Sequence, residues 1–300
     1  MEELDLLILG AGWSATFLIP LLLKSHSITF AATTTTGHPV SGHPTIPFRF
    51  DPTSPDQSGI SSLPRARTVL VTFPLNGIGP SRVLVENYRA THSARGKTEF
   101  RFVQLGSTGI WQKGGPTFQG DGNGPWVTRH SPYDEGNSRA IAEDELRRLG
   151  GCVLELSGLW GGQRDPKTWV GRVAKTKEDV KGKKSLHLIH GMDVARAVIA
   201  IVKADEKLWE KAGKGQRWML TDGFVYDWWA LFAGWAEPAG GESGSEGDEV
   251  QPTDQAKWVA ELMVEEDVRG LPRSMEALGR CYDSREFWST FGLVPLKARV

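Results

Sequence analysis

The chain holds little cysteine and almost no net charge. Its two cysteines in 300 residues, Cys152 and Cys281, lie far apart, which excludes a disulfide framework and a cysteine-based metal spacing. A reducing, cytoplasmic setting is the expectation. A formal net charge of -1 offers no excess positive charge to hold nucleic acid or an anionic membrane surface. Met1-Glu2-Glu3 is acidic where a signal peptide needs a basic n-region. The apolar stretch that follows, residues 4–23, is broken by Asp5 and a glycine turn and does not read as a membrane span. No internal repeat is visible. What remains is an ordinary globular composition, 39% hydrophobic, long enough for one large α/β domain or one domain with a smaller lobe. The exception is the twelve tryptophans, a count that points to a large aromatic pocket or to heavy packing.

The stretch that organises the chain is LDLLILGAGWSATFLIPLLL, residues 4–23. Leu4 to Leu9 is the short apolar run of a strand buried on both faces. Gly10, Gly12 and Ala15 spell G-x-G-x-x-A, and an apolar helix continues from Ala15 to Leu23. In that context the motif reads as a dinucleotide fingerprint. Gly10 permits the tight turn, Gly12 clears the approach to a pyrophosphate, and Ala15 lets helix and strand pack closely. The free N–H groups at the helix start, around Trp13, then face the anion.

A second strand is expected at Ser27–Ala32, ending in the run Thr33, Thr34, Thr35, Thr36. No acid stands there to bind an adenosine ribose 2′-OH, and threonines suit a 2′-phosphate, so NADP is expected ahead of NAD. His38 and His43, five apart in a Gly/Pro-rich loop, lack a metal spacing, and no metal is expected. A short strand at Thr45–Asp51 places Asp51 either to meet the adenine amino group or to cap the next segment. Further strands are expected at Thr68–Phe73, Glu99–Leu105, Cys152–Leu156, Ser185–Ile189 and Trp218–Leu220. Helices are expected at Ser81–His92, Asn137–Leu149, Val194–Val202 and Tyr226–Ala236, with Asp193 capping the third. Strands alternating with helices at these intervals give a Rossmann-like, doubly wound parallel sheet of about seven strands. The strand-end residues Gly10, Thr33, Asp51, Thr72 and Ser107 should line one crevice, with Phe73 beside Thr72. Residues 1–160 would form the dinucleotide-binding core, and 161–300 would complete the sheet and build a substrate lobe. Residues 237–252 (EPAGGESGSEGDEVQP) read as a disordered insertion.

Taken in order, these pieces resemble the short-chain dehydrogenase/reductase superfamily in its extended, epimerase/dehydratase-like branch, and more narrowly its atypical members. The resemblance spans nearly the whole chain. GAGWSA looks like the family's cofactor turn, and GSTGIW (106–111) matches the strand end where members place a catalytic Ser or Thr, here Ser107 or Thr108. LSGLWGGQRDP, with Leu159, resembles the segment that touches nicotinamide and opens the substrate lobe; HLIHGMDVARAV is similar to another family signature.

The family's Tyr-x-x-x-Lys pair is absent. Setting Glu143 against the glutamate that usually follows it puts Arg139 at the lysine position and Glu135 at the tyrosine position. The chemistry needs a phenol with a lowered pKa beside a cation. Arg139 keeps the charge and can bind ribose hydroxyls but cannot shuttle a proton. Tyr133, just ahead of the helix, is the candidate substitute acid, with Glu135 acting through water as the other.

The resemblance implies an NAD(P)-dependent oxidoreductase or epimerase-like enzyme acting on a small hydroxyl- or carbonyl-bearing substrate. Its pocket would be lined by some of Trp111, Trp126, Trp160 and Trp169. The alternative is a non-catalytic NAD(P)-binding sensor that meets a protein partner. The two helices that often pair between family subunits are charged here, so a monomer or loose homodimer is expected.

Overall fold

The opening strand β1 (Leu4–Leu9) runs through the glycine turn into α1 (Ala15–Ser25). Leu6 to Leu9 are fully buried, as an unbroken apolar run covered on both faces requires. The computed structural model describes residues 3–54, 56–93, 99–112, 124–237, 251–298 and 300. After α1 come β2 (Phe30–Thr34), β3 (Ile46–Pro47), α2 (Ser58–Ser61), β4 (Ala66–Val71) and α3 (Pro80–His92). Next are β5 (Arg101–Ser107), β6 (Trp126–Val127), α4 (Ser138–Arg148), β7 (Cys152–Leu156) and β8 (Gly158–Trp160). Then follow α5 (Val170–Val173), α6 (Lys177–Gly182), β9 (Ser185–Leu186), β10 (Leu188–His190), α7 (Gly191–Lys203) and α8 (Glu206–Ala212). The chain closes with β11 (Arg217–Leu220), β12 (Tyr226–Asp227), α9 (Trp228–Gly234), α10 (Asp254–Glu265), α11 (Met275–Leu278), β13 (Cys281–Tyr282) and α12 (Arg285–Thr290).

Seven strands form one sheet in the order β11-β7-β5-β4-β1-β2-β3, and every neighbouring pair is parallel. One apolar core lies under α1 and α7, built from Leu6, Ile8, Leu18, Leu22, Val198 and Ile201. The other lies under α3 and α4, built from Leu7, Leu9, Val69, Leu84, Tyr88 and Leu146. The chain leaves β1 to one side for β2 and returns on the other as β4, so the sheet has a switch point at the glycine turn, where a crevice opens.

The chain after residue 160 does two things. It returns to the sheet through α7 and β11, and it builds a lobe whose core includes Val180, Leu188, Trp228, Trp229, Phe232, Val259 and Leu262. Two short strand pairs, β8 with β10 and β9 with β12, form separate two-stranded sheets in this part of the chain.

Three local expectations are corrected. Helix α7 begins at Gly191, and its N-cap is His190, whose Nδ1 accepts from the Met192 N–H at 3.0 Å. Asp193 lies inside the first turn, where its carboxylate accepts the N–H groups of Leu296 and Lys297 and pins the C-terminal segment. The helix expected from Tyr226 starts at Trp228, because Asp227 caps it by accepting from the Trp229 N–H at 2.9 Å. The strand expected over Thr45–Asp51 is two residues long, Ile46–Pro47. The core of the expected insertion, residues 238–250, lies outside the described residues. Among the described residues no helix is long and apolar enough to cross a membrane.

Candidate dinucleotide cleft

The glycine turn is built by its neighbours. Gly10 has φ +86°, and a β-carbon there would meet the Phe73 ring at 2.9 Å and Thr72 Oγ1 at 3.0 Å, so only glycine fits. Its N–H donates to Thr33 Oγ1 at 3.0 Å, and the Thr72 hydroxyl donates to Leu9 O at 3.1 Å and to Gly10 O. Gly12 is different: the nearest atom to a β-carbon there is Gly10 O at 3.9 Å, so the approach to the turn is open. Ala15 is buried against the sheet. Trp13 reaches away from the turn, donating its indole N–H to Gly161 O at 3.3 Å and lying under the Arg164 guanidinium at 4.4 Å.

These contacts change the part given to two threonines. Thr33 is fully buried and holds Gly10, while Thr34 bonds Thr45 Oγ1 at 2.9 Å. Both hydroxyls are committed to the fold, and the exposed hydroxyls at this strand end are those of Thr35 and Thr36. Asp51 is fully exposed and folds a turn, accepting from the Thr53 N–H at 2.9 Å and hydroxyl at 2.7 Å; these bonds hold its carboxyl below the usual range. It caps no helix, since α2 begins at Ser58 with Gln57 at its N-cap.

Beyond the turn a hollow of about 460 Å³ opens over the carboxyl ends of the strands. Ser14, Thr72, Ser107, Leu159 and Trp169 line it together with Arg139, Arg164 and Arg172. Ser107 closes β5, and its Oγ accepts from the Gly109 N–H at 3.2 Å, which leaves its own proton free to donate. Thr108 is buried, and its hydroxyl donates to Leu156 O at 3.4 Å. Arg139 stands in the first turn of α4 and, with Ser107, also lines an adjoining hollow of about 280 Å³. Phe73 stacks on Phe50 and braces Gly10. Of the four tryptophans expected around a pocket, Trp169 reaches this hollow. Trp111 is buried in a core cluster, Trp160 packs on His190, and Trp126 lines a separate hollow of about 950 Å³.

Tyr133 and Glu135 are not brought to Ser107. They line another hollow, with Asp144 and Arg148, on a different face of α4. The Tyr133 phenol donates to Asp144 at 2.9 Å, and burial raises its pKa, the reverse of what a base requires. Glu135 precedes the N-cap Asn137, so it is outside the helix and cannot share a face with Arg139 four residues later.

Behind the cleft lies a charge cluster that the order of residues does not announce. Gly106 has no β-carbon because Glu155 Oε2 and Glu143 Oε1 occupy that space. Arg217 donates to Glu155 at 2.7 Å and approaches Asp144 at 3.3 Å and Glu143 at 3.5 Å. Burial, with mutual repulsion, raises the Glu155 carboxyl well above the usual range; burial raises Glu143 against the pull of Arg217. Both carboxyls therefore keep their protons to higher pH than exposed glutamates would. Two of the cleft's arginines, Arg164 and Arg172, were equally hidden: Arg164 stands two residues after Gly161-Gly162, a signal of a tight turn and nothing more.

Solved structures with this architecture cover nearly the whole chain. Alfalfa (Medicago sativa) vestitone reductase matches 98% of this chain and 93% of its own, with TM-score 0.62 and 16% identity. UDP-glucose 4-epimerase from Bifidobacterium longum, solved with NAD+ and UDP, matches 98% and 94%, with TM-score 0.58 and 14% identity. The chain has the fold of the extended short-chain dehydrogenase/reductases. A human epimerase family protein solved with NADPH has this fold too, matching 97% and 95% with TM-score 0.52 and 12% identity. No family model and no curated protein matches the sequence. At these identities the likeness is one of fold, and a chemistry has to be argued from the cleft.

Proposed function

We propose that this protein binds a nicotinamide dinucleotide in the cleft and transfers hydride to or from a small hydroxyl- or carbonyl-bearing substrate. The observation that carries the reading is that Ser107 and Arg139 line the same hollow as Ser14 at the open glycine turn. The residues fit the group: Gly12 leaves room for a pyrophosphate, and, while the N–H groups of Gly12, Ala15, Thr16 and Phe17 are taken by backbone carbonyls, those of Trp13 and Ser14 just ahead of α1 have no backbone acceptor. NADP is favoured over NAD because no carboxylate stands at the β2 end to hold a ribose 2′-OH. When bound, the nicotinamide supplies or accepts the hydride.

Ser107 donates a hydrogen bond from its hydroxyl to the substrate oxygen while its Oγ is held by the Gly109 N–H. Arg139, which lines the same two hollows, stabilises negative charge on that oxygen as it forms. Because Arg139 stays charged and Ser107 keeps its proton, the proton that completes the hydroxyl in reduction, or is released in oxidation, passes to and from solvent. Leu159 and Trp169 cover the reacting carbon from solvent.

One observation favours a second reading, a dinucleotide-binding regulator without turnover. The Tyr133 phenol is committed to Asp144, and among the described residues no carboxyl group lines the hollows at Ser107.

Calorimetric titration with NADP(H) and NAD(H), beside a Gly12→Asp variant, tests the shared premise. We expect binding by the wild type, and a loss of about 100-fold or more in a variant that still folds, because the new carboxylate occupies the pyrophosphate approach. A folded wild type that binds neither nucleotide would sink both readings. Turnover on a panel of small carbonyl compounds that falls in Ser107→Ala separates the enzyme from the regulator.

A further inference from the structure

Three hollows adjoin along the carboxyl edge of the sheet. Ser107 and Arg139 line the first and second, and Gln112 joins the second to a third of about 390 Å³ beyond Thr108. Among the described residues no aspartate or glutamate lines any of the three, whereas Arg139, Arg164, Arg172 and Arg280 do. None of these four makes an ion pair with a described carboxylate. Elsewhere in the chain buried arginines are paired: Arg217 with Glu155, Arg273 with Asp227, Arg101 with Glu206. In a chain of net charge -1, positive charge has been gathered here and left without acids.

A dinucleotide accounts for only part of it. Its pyrophosphate belongs at the start of α1 beside Ser14, in the hollow that Arg164 and Arg172 line. Arg139 stands with Ser107, where the reacting oxygen would lie. Arg280 is left over, in the third hollow. Its Nε is buried with no hydrogen-bond partner, and its guanidinium lies over the Tyr282 ring at 5.4 Å. The neighbouring His187 is held neutral, its pKa pushed down to about 3 by burial, and its Nε2 accepts from the Tyr282 N–H. The Arg280 guanidinium lines the hollow with no described carboxylate paired to it, so its charge is available to an anion seated there.

We propose that the substrate carries an anionic group, a carboxylate or a phosphate ester, that seats on Arg280 while its hydroxyl or carbonyl carbon lies at Ser107 and Arg139. The inference rests on the reading of the cleft given above and names the substrate class. Gln112, shared by two of the hollows, lies between the two ends of such a ligand.

The test uses wild type, Arg280→Gln and Arg280→Lys, each first saturated with NADP+ so that the arginines near Ser14 are occupied. Each loaded protein is titrated calorimetrically with inorganic phosphate and, separately, with malonate. We expect one probe to bind the loaded wild type, about tenfold or more weaker binding in Arg280→Gln, and recovery of most of it in Arg280→Lys. NADP+ affinity should stay within about twofold across all three proteins. The probe that binds identifies the anionic group. Binding of neither probe by the loaded wild type, or equal binding by Arg280→Gln, would overturn the proposal. So would an equal loss of NADP+ affinity in Arg280→Gln, which would make Arg280 part of the cofactor site. A wild type that takes no dinucleotide yet binds a probe through Arg280 would leave the anion site standing and remove the hydride-transfer reading alone.

Discussion

The two sides of the β5 carboxyl end carry charge in opposite ways. Behind Gly106, Glu143, Glu155 and Arg217 are buried together, with Asp144 beside Arg217 at the edge of the cluster. In front of it, Arg139, Arg164 and Arg172 line open space without an acid. A charge under the sheet has no water to fall back on and must be answered by the protein itself, by a partner or by a retained proton. A charge in the cleft keeps its water until a ligand displaces it. The difference separates charges that hold the fold from charges that await a ligand.

Removing the cation behind the strand should break the comparison most severely. Arg217→Met leaves the buried carboxyls without their positive partner, and urea unfolding should show a loss of about 3–5 kcal/mol. A loss below about 1 kcal/mol would mean that the cluster is not held together by Arg217.

A pH series sharpens the comparison. Burial raises the folded-state pKa of Glu155 above that of the unfolded chain, so the fold prefers its neutral form. That contribution is complete below the usual carboxylate range and is lost as pH rises through the raised value. Glu155→Gln stays neutral throughout. Its melting temperature should therefore gain on the wild type as pH rises, and a constant difference across the series would contradict the raised Glu155 pKa.

The smallest effect is expected at Tyr133. Tyr133→Phe gives up the bond to Asp144 at a cost of about 1 kcal/mol, with NADP(H) affinity unchanged. A marked fall in affinity would return Tyr133 to the cleft.

The strand, turn and helix from Leu4 to Ser25 were legible because their causes are local. An apolar run, a glycine that must take positive φ and a small residue at the first helical turn act within a few residues of one another. The parallel sheet was legible from the alternation of strands and helices for the same reason. Asp193 and Tyr133 were not. Asp193 looks like a cap, yet its carboxylate is taken by N–H groups more than a hundred residues later, at Leu296 and Lys297. Tyr133 is near a cation, as a catalytic phenol should be, but the cation is Arg217 with the ring beneath it at 4.3 Å, on a different face of α4 from Arg139.

By itself the sequence determined the doubly wound sheet, the place of its switch point and the openness of the approach at Gly12, all set by periodicity and by side chains too small to block. Only the tertiary structure decided which polar groups were already taken. Thr33 and Thr72 hold the glycine turn from other strands, Glu155 fills the space of a β-carbon at Gly106, and Arg280 is left with a buried donor and no acceptor. Hydrogen bonds and ion pairs are satisfied between residues far apart in the chain, so a polar residue's remaining capacity cannot be read before its neighbours in space are known.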